Sequence, residues 1–343
     1  TEGEILYILL PDGSSVQEAG EGDSVIIVTD KTTFYAESGG QAGDRGEIET
    51  EGGAVVISNV NKTSDGKWRH MGKVVHGSVC VSAKATMTVN RQTRLATERN
   101  HSATHLLQKA LRTVLGEHVH QAGSSVSTER LRFDFNHMQA LSKEELAEVE
   151  NIVNKAIVND YAVNTQVLPI EEAKKLGAMA LFGEKYGDNV RVVEMGDYSL
   201  EFCGGTHVKN TASIGMFKIL HESAVAAGVR RIEGTTGLGV LTLLGERDAL
   251  IRDTARELKS PNVNGIAKKA ESLQAEIKEL KRELESANAQ IANAKAEALF
   301  AGIKTVGKFK LLSAKVEMRP DQARGLCDTL KDKHSDAVAV FAA

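Results

Sequence analysis

The chain has 343 residues, 41% of them hydrophobic and only 4% aromatic, so it can bury two or three cores built mainly from Val, Ile, Leu and Ala. Its formal net charge of −4 excludes a global electrostatic pull toward nucleic acid, and any such contact must come from local basic clusters. Cys80, Cys203 and Cys327 are odd in number and far apart, which argues against a disulfide framework and for a reducing, cytoplasmic compartment.

No apolar run approaches the roughly eighteen residues of a membrane span. The opening "TEGEILYILLPDG" lacks the basic segment and cleavage site of a secretory leader. The missing initiator Met and the stop within "AVAVFAA" predict a piece of a longer protein.

Residues 1–90 read as short strands: "DSVIIVTDKTTFYA", "GAVVISNV" and "GSVCVSAKATMTV" are rich in Val, Ile and Thr, with Asp-Gly and Gly-Gly between them. Their close spacing predicts a small β-barrel. From Asn90 the apolar period changes to three and four residues, and "RQTRLATERNHSATHLLQKALRTVLGEH" predicts a helix ending near Gly116. "SSVSTERLRFDFN" alternates like a strand, and "LSKEELAEVENIVNKAIVN" is a helix opened by a capping box of Ser142 and Glu145. Strands follow at "VRVVEMG", "YSLEFC" and within "IGMFKILHESAVAAGVRRIEGTTG". Helices and strands mix over 91–245 without a βαβ rhythm, so the predicted class is α+β.

Residues 246–300 differ in kind. After a break at Pro261 a helix resumes near Gly265. Ile266, Leu273, Leu280, Ala287 and Ala294 fall on one heptad position, with Ala270, Ile277, Leu284, Ile291 and Ala298 on the other. This seam predicts a coiled coil or helical hairpin, the alternative being one long amphipathic surface helix. Residues 301–343 ("KLLSAKVEM", "RPDQARGLCDTLKDKH", "DAVAVFAA") begin an α/β piece that stops short.

The chemistry concentrates in two short stretches. In "EFCGGTHV", Cys203 and His207 stand four apart; in "ERNHSATHLL", His101 and His105 stand four apart on a predicted helix and share a face. Together they offer a His3Cys set suited to tetrahedral zinc. Two other readings stay open: a zinc that only staples helix to turn, and core histidines without metal. A metalloprotease reading fails because Ser102 stands where H-E-x-x-H carries its general-base Glu. Glu201, two residues before Cys203, is a candidate to orient water, with an exposed strand carboxylate as the alternative. Gln121, in "HVHQAGSSV", is placed to point an amide into a pocket, while His118 and His120 read as surface residues.

"RNHSATHLLQKALR", "HQAGSSV", "LRFDF", "EFCGGTHV" and "AGVRRIEG", in this order, resemble the editing domain of the alanyl-tRNA synthetase family and its free-standing deacylase relatives. The editing domain of threonyl-tRNA synthetase is similar around both ligand pairs. "FYAESGGQAGDRG" resembles the glycine-rich stretch of the barrel that precedes this core, and the heptad helix with the piece after Gly302 resembles the start of the C-terminal domain.

The resemblance implies zinc on His101, His105, Cys203 and His207, with Gln121 in the pocket that discriminates the amino acid. It puts Glu201 where the threonyl relative carries an acidic residue that positions water. Gly39, Gly40 and Gln41 would line the approach from the barrel side, and Arg230 and Arg231 would lie near the tRNA end. The implied activity is hydrolysis of the ester in seryl- and glycyl-tRNA(Ala), because an alanine-sized pocket cannot exclude glycine and rejects serine poorly. The implied partner is the acceptor end of tRNA(Ala). The local charge pattern fits it: Arg91, Arg94, Arg99, Lys109 and Arg112 cluster around the predicted helix and could meet phosphates, with solvated helix faces as the alternative for about half of them.

Lacking the ATP-dependent catalytic domain, the chain is not expected to charge tRNA. The family's dimerisation through the helical and C-terminal region would be weakened by the early stop. The alternative function is a non-catalytic tRNA-binding and dimerisation module with a structural zinc.

Overall fold

The computed structural model describes residues 1–179, 187–315 and 320–342. The chain divides into two compact units, Thr1–Glu246 and Arg247–Ala343.

The first unit begins with eight strands: β1 (Glu2–Leu9), β2 (Ser15–Val16), β3 (Glu18–Gly20), β4 (Ser24–Thr29), β5 (Gly46–Thr50), β6 (Gly53–Lys62), β7 (Trp68–Cys80) and β8 (Lys84–Val89). Six of them pair in the circuit β1-β4-β7-β6-β5-β8, and β8 returns to β1, so the predicted barrel is present and closed. Closure leaves no unpaired edge along the circuit. Inward alternation fills it with Ile5, Ile27, Ile48, Val55, Ile57 and Met87, all at most 1% exposed.

Three expectations are corrected here. The strand expected over 23–36 ends at Thr29; beyond it the chain leaves the barrel wall and buries Phe34 and Ala36. "GSVCVSAKATMTV" is two strands, because Ser82 takes a left-handed φ of 67° in the turn between β7 and β8. β1 and β5 were not anticipated.

Asn90 caps α1 (Arg91–Leu115), its side chain accepting from the amides of Gln92 and Thr93. Between Asn100 and Leu111 every residue except Lys109 is buried, so the ligand-bearing stretch is the core of the unit. β9 (Gln121–Val126) and β10 (Leu131–Asn136) follow. The single strand expected over "SSVSTERLRFDFN" is thus a hairpin, turned at Ser127, whose hydroxyl accepts from the Glu129 and Arg130 amides. α2 (Lys143–Val158) opens with the expected capping box of Ser142 and Glu145.

Then come β11 (Val163–Pro169), α3 (Ile170–Lys175), β12 (Asn189–Met195), β13 (Ser199–Phe202), β14 (Phe217–Ala226), β15 (Val229–Thr236) and α4 (Leu238–Glu257). A four-stranded antiparallel sheet of order β14-β15-β10-β9 and a three-stranded sheet β11-β12-β13 result. Leu106, Leu107 and Leu111 of α1 pack with Phe133, Phe135, Val149, Val153 and Ile232 in one apolar cluster.

The barrel is stitched to this core by the glycine-rich loop. Gly40 (φ 79°) accepts from the Val126 amide at 2.7 Å, and the Ala42 amide returns a bond to the Val126 carbonyl at 2.9 Å. A Cβ on Gly40 would stand 2.3 Å from the Ser124 carbonyl oxygen, so only glycine permits this approach.

In the second unit α5 (Ile266–Phe300) is one 35-residue helix. Its seam residues Ile277, Leu280, Leu284 and Ile291 are 53–61% exposed. β16 (Lys304–Val306), β17 (Phe309–Lys315), α6 (Pro320–Lys333) and β18 (Ala337–Ala342) complete it, with β18 parallel to β17 across α6. Residues 316–318 of the strand expected at "KLLSAKVEM", Arg319 and Ala343 lie outside the described residues. No helix among the described residues is long and apolar enough to cross a membrane.

Candidate metal centre

The two stretches separated by about a hundred positions meet. One ligand atom from each of His101, His105, Cys203 and His207 lies within 4.8 Å of the others. α1 supplies the first pair, whose rings lie 5.4 Å apart and nearly parallel, as i, i+4 residues on a helix face do. The turn after β13 supplies the second pair. Arg191 of β12 shapes that turn by donating to the carbonyls of Cys203 (2.9 Å) and Gly205 (2.6 Å).

Each imidazole is held by its Nδ1 and offers its Nε2. His101 Nδ1 is 2.6 Å from Gln41 Oε1, His105 Nδ1 is 2.6 Å from Glu201 Oε2, and His207 Nδ1 is 3.1 Å from Ser102 Oγ. An amide oxygen and a carboxylate can only accept, so the first two rings carry their proton on Nδ1. Metal sites use such outer partners to fix the tautomer of each ligand.

On the inner side, Nε2 of His101 and of His207 lie 3.4 and 3.2 Å from Cys203 Sγ. A tetrahedral ion with N at about 2.0–2.1 Å and S at about 2.3 Å separates those atoms by about 3.5 Å. His105 Nε2 is buried with no hydrogen-bond partner. A buried nitrogen without a partner costs free energy, and an ion at the centre of these donors would satisfy it. The donor set therefore fits a metal.

Burial pushes the Cys203 thiol up, but the rings of His105 and His101 pull it far below the ordinary thiol range, toward the thiolate that metals bind. Burial pushes His105 down, but Glu201 and Cys203 hold it well above the ordinary imidazole range, so an ion arriving at this ring would displace its proton. Burial holds His207 down to about 3, aided by the neighbouring His101, and so neutral.

Gly205 makes the packing possible. A Cβ there would meet His101 Cε1 at 2.0 Å, whereas one on Gly204 would meet nothing within 4 Å. Gln41 is 1% exposed and receives the Thr206 amide at 2.9 Å while donating to Thr206 Oγ1 at 2.9 Å. Rather than lining an approach, it bridges barrel and ligand turn. Glu201 is 3% exposed, which removes the exposed-carboxylate alternative; its other oxygen takes the Ser199 hydroxyl at 2.7 Å.

His101, His105 and Cys203 line a cavity of about 660 Å³. Gly39, Tyr35 and Glu37 line it from the barrel loop, Thr104 and Gln108 from α1, Gln121 and Ser124 from β9, and Lys62 and Trp68 from the ends of β6 and β7. Gln121 thus stands in the same cavity as His101, His105 and Cys203.

Residues 190–233, which carry Cys203 and His207, match the family described as "Threonyl and Alanyl tRNA synthetase second additional domain". Residues 1–93 match "tRNA synthetases class II (A)". The chain is 49% identical over 336 residues to an alanine–tRNA ligase of Bacillus velezensis, covering 98% of this chain and 38% of that protein. The alanine–tRNA ligase of Clostridioides difficile is 47% identical over 342 residues, 99% of this chain and 39% of its own length. The chain belongs to the alanyl-tRNA synthetase family.

It spans under two fifths of the length of these relatives. Arg230 and Arg231 are not among the cavity's lining residues. Arg230 pairs with Glu222 at 2.5 Å, and Arg231 grips Asp134 with two bonds of 2.7 and 2.8 Å. Of the basic residues around α1, Arg94 is held by Asp44, Arg112 by Glu117, and Arg99 by the Ser213 carbonyl. His118 and His120 are exposed, as expected.

Proposed function

We propose that this chain is the editing part of an alanyl-tRNA synthetase, hydrolysing the ester of seryl- and glycyl-tRNA(Ala) in the cavity above a zinc ion. One observation carries the reading: ligand atoms of His101, His105, Cys203 and His207 converge, and the first three of these residues line the same cavity as Gln121. His101, His105, Cys203 and His207 would hold the zinc, the ion that suits one sulfur and three nitrogen ligands. When bound it supplies Lewis acidity, polarising the ester carbonyl or lowering the pKa of a water.

The chain's own residues do the rest. Gln121 and Thr104 face the acyl group; the Thr104 hydroxyl already donates to Asn100 (2.9 Å), so its free lone pairs accept from a serine hydroxyl. Alanine lacks that hydroxyl and forgoes the bond, so this contact favours the seryl ester over the alanyl one and bears on serine alone. Glu201 holds His105 and acts as a positioning residue. The partner is the acceptor end of tRNA(Ala), and the exposed seam of α5 is the surface for pairing with a second copy.

The test is deacylation of seryl-tRNA(Ala) by the zinc-loaded chain. Intact substrate at enzyme excess ends the proposal. A second reading, a binding module with structural zinc, draws on the same four donors, since four protein ligands close a tetrahedral site. Gln121→Ala separates the two: hydrolysis lost with tRNA binding retained supports the enzyme.

A further inference from the structure

We propose that Trp68, with Lys62 above it, forms a subsite for the terminal unpaired base of the RNA and its phosphate. This rests on the deacylase reading and names the part of the substrate that reading leaves without a partner. A glycyl or seryl group occupies little of a cavity of about 660 Å³, a volume in the range that holds drug-sized ligands. The ester's other half is a nucleoside, and the space left above the ligand floor is where it must lie.

That space is walled by the barrel. Trp68 opens β7 directly opposite Lys62, the last residue of β6, and both line the cavity. Lys62 Nζ stands over the indole, 4.1 Å from its centroid. The indole is the chain's single tryptophan; it is partly buried, packing against the barrel core while also lining the cavity. Tyr35 and Phe34 are further aromatic residues of the same lining.

Proteins hold unpaired nucleotides by stacking bases on aromatic rings and meeting the backbone with cations. An ammonium on an aromatic face marks where a flat, polarisable ring can replace it. The arriving base takes the indole face, and the displaced Lys62 reaches the phosphate on the 5′ side of the terminal nucleoside. Lys62 is exposed on a flexible stem, so the exchange needs no backbone movement.

The single tryptophan supplies the test. Uncharged RNA ending 5′-ACCA-3′ is added to the full zinc-loaded chain while indole emission is followed. The subsite predicts saturable quenching that is lost when the 3′ nucleotide is abasic. With a 5′-fluorescein-labelled RNA read by anisotropy, Trp68→Ala weakens binding about tenfold or more and Trp68→Phe restores most of it. Lys62→Met lowers affinity and reduces the salt slope by about one. With seryl-tRNA(Ala), Trp68→Ala and Lys62→Met raise KM with kcat little changed, and Trp68→Phe stays near the wild-type KM.

Quenching that ignores the terminal base, or Trp68→Ala and Lys62→Met binding as wild type does, overturns the subsite. Failure of the deacylase reading looks different: base-dependent quenching persists while no ester is cleaved.

Discussion

Glu201 and Gln41 grip two ligand imidazoles at Nδ1, each at 2.6 Å, and these contacts determine how well the donors are aimed. Glu201→Gln weakens the acceptor without changing its shape, and is expected to lower metal affinity about 10–100-fold. Competition against a chromophoric chelator reads this; unchanged affinity with lost hydrolysis would instead make Glu201 the group that activates water. The glycine pair gives a sharper contrast. Gly205→Ala drives a methyl into His101 and is expected to abolish stoichiometric metal binding, while Gly204→Ala, with open space around it, shifts stability by at most about 0.5 kcal/mol. Metal content and melting temperature of the two variants decide the point. The four donors were legible because each pair is local, a four-residue step on a helix or across a turn. The roles of Gln41, Arg191 and Ser102 were not, because their contacts join positions brought together only by tertiary folding. The resemblance puts Arg230 and Arg231 near the tRNA end, while the fold sets them against Glu222 and Asp134.

Among elements, the barrel carries a buried histidine unrelated to the metal. His70 of β7 is 0% exposed; its Nδ1 donates to the Ile27 carbonyl at 3.0 Å and its Nε2 accepts from the Thr32 hydroxyl at 2.8 Å. Burial holds its pKa below the ordinary 6.5, partly offset by the bond to Ile27. The unfolded chain therefore binds a proton that the native ring resists, and stability present above about pH 6.5 is lost as pH falls toward the depressed native value. Urea midpoints followed by Trp68 emission are expected to drop between pH 7.5 and 5, with a smaller drop in His70→Gln. An equal drop would exonerate His70. α1 and α2 were readable from period and caps, since local sequence specifies both. β5 escaped because a short strand with glutamates on its outer face gains its identity from its partners, β6 and β8; β1 escaped because its run of apolar residues, with Leu6 and Tyr7 exposed, breaks the alternation that marks a strand. The hairpin of β9 and β10 read as a single strand because Ser127 and its neighbours make the turn without Gly or Pro.

At the scale of the molecule, every proposed ligand and its outer partners lie in Thr1–Glu246. A chain ending after Glu257 is expected to bind one metal per molecule with the affinity of the longer chain; a loss above about threefold would mean that the second unit supports the site. The seam of α5 makes the opposite prediction, that self-association belongs to the second unit. Leu284→Lys, at a position 61% exposed, is expected to shift the chain toward monomer in sedimentation velocity without altering metal content. A wild-type chain that is monomeric at every concentration removes the pairing proposal. The bridge at Gln41 has one more outcome. Because it belongs to the barrel loop while its acceptor oxygen orients His101 of α1, an ion seated on that ring and the docking of the barrel would be linked, each favouring the other to the same degree. A chelator would then act at a distance, loosening the seam through Gly40 and Val126, so that metal starvation is felt by a domain that contributes no ligand of its own.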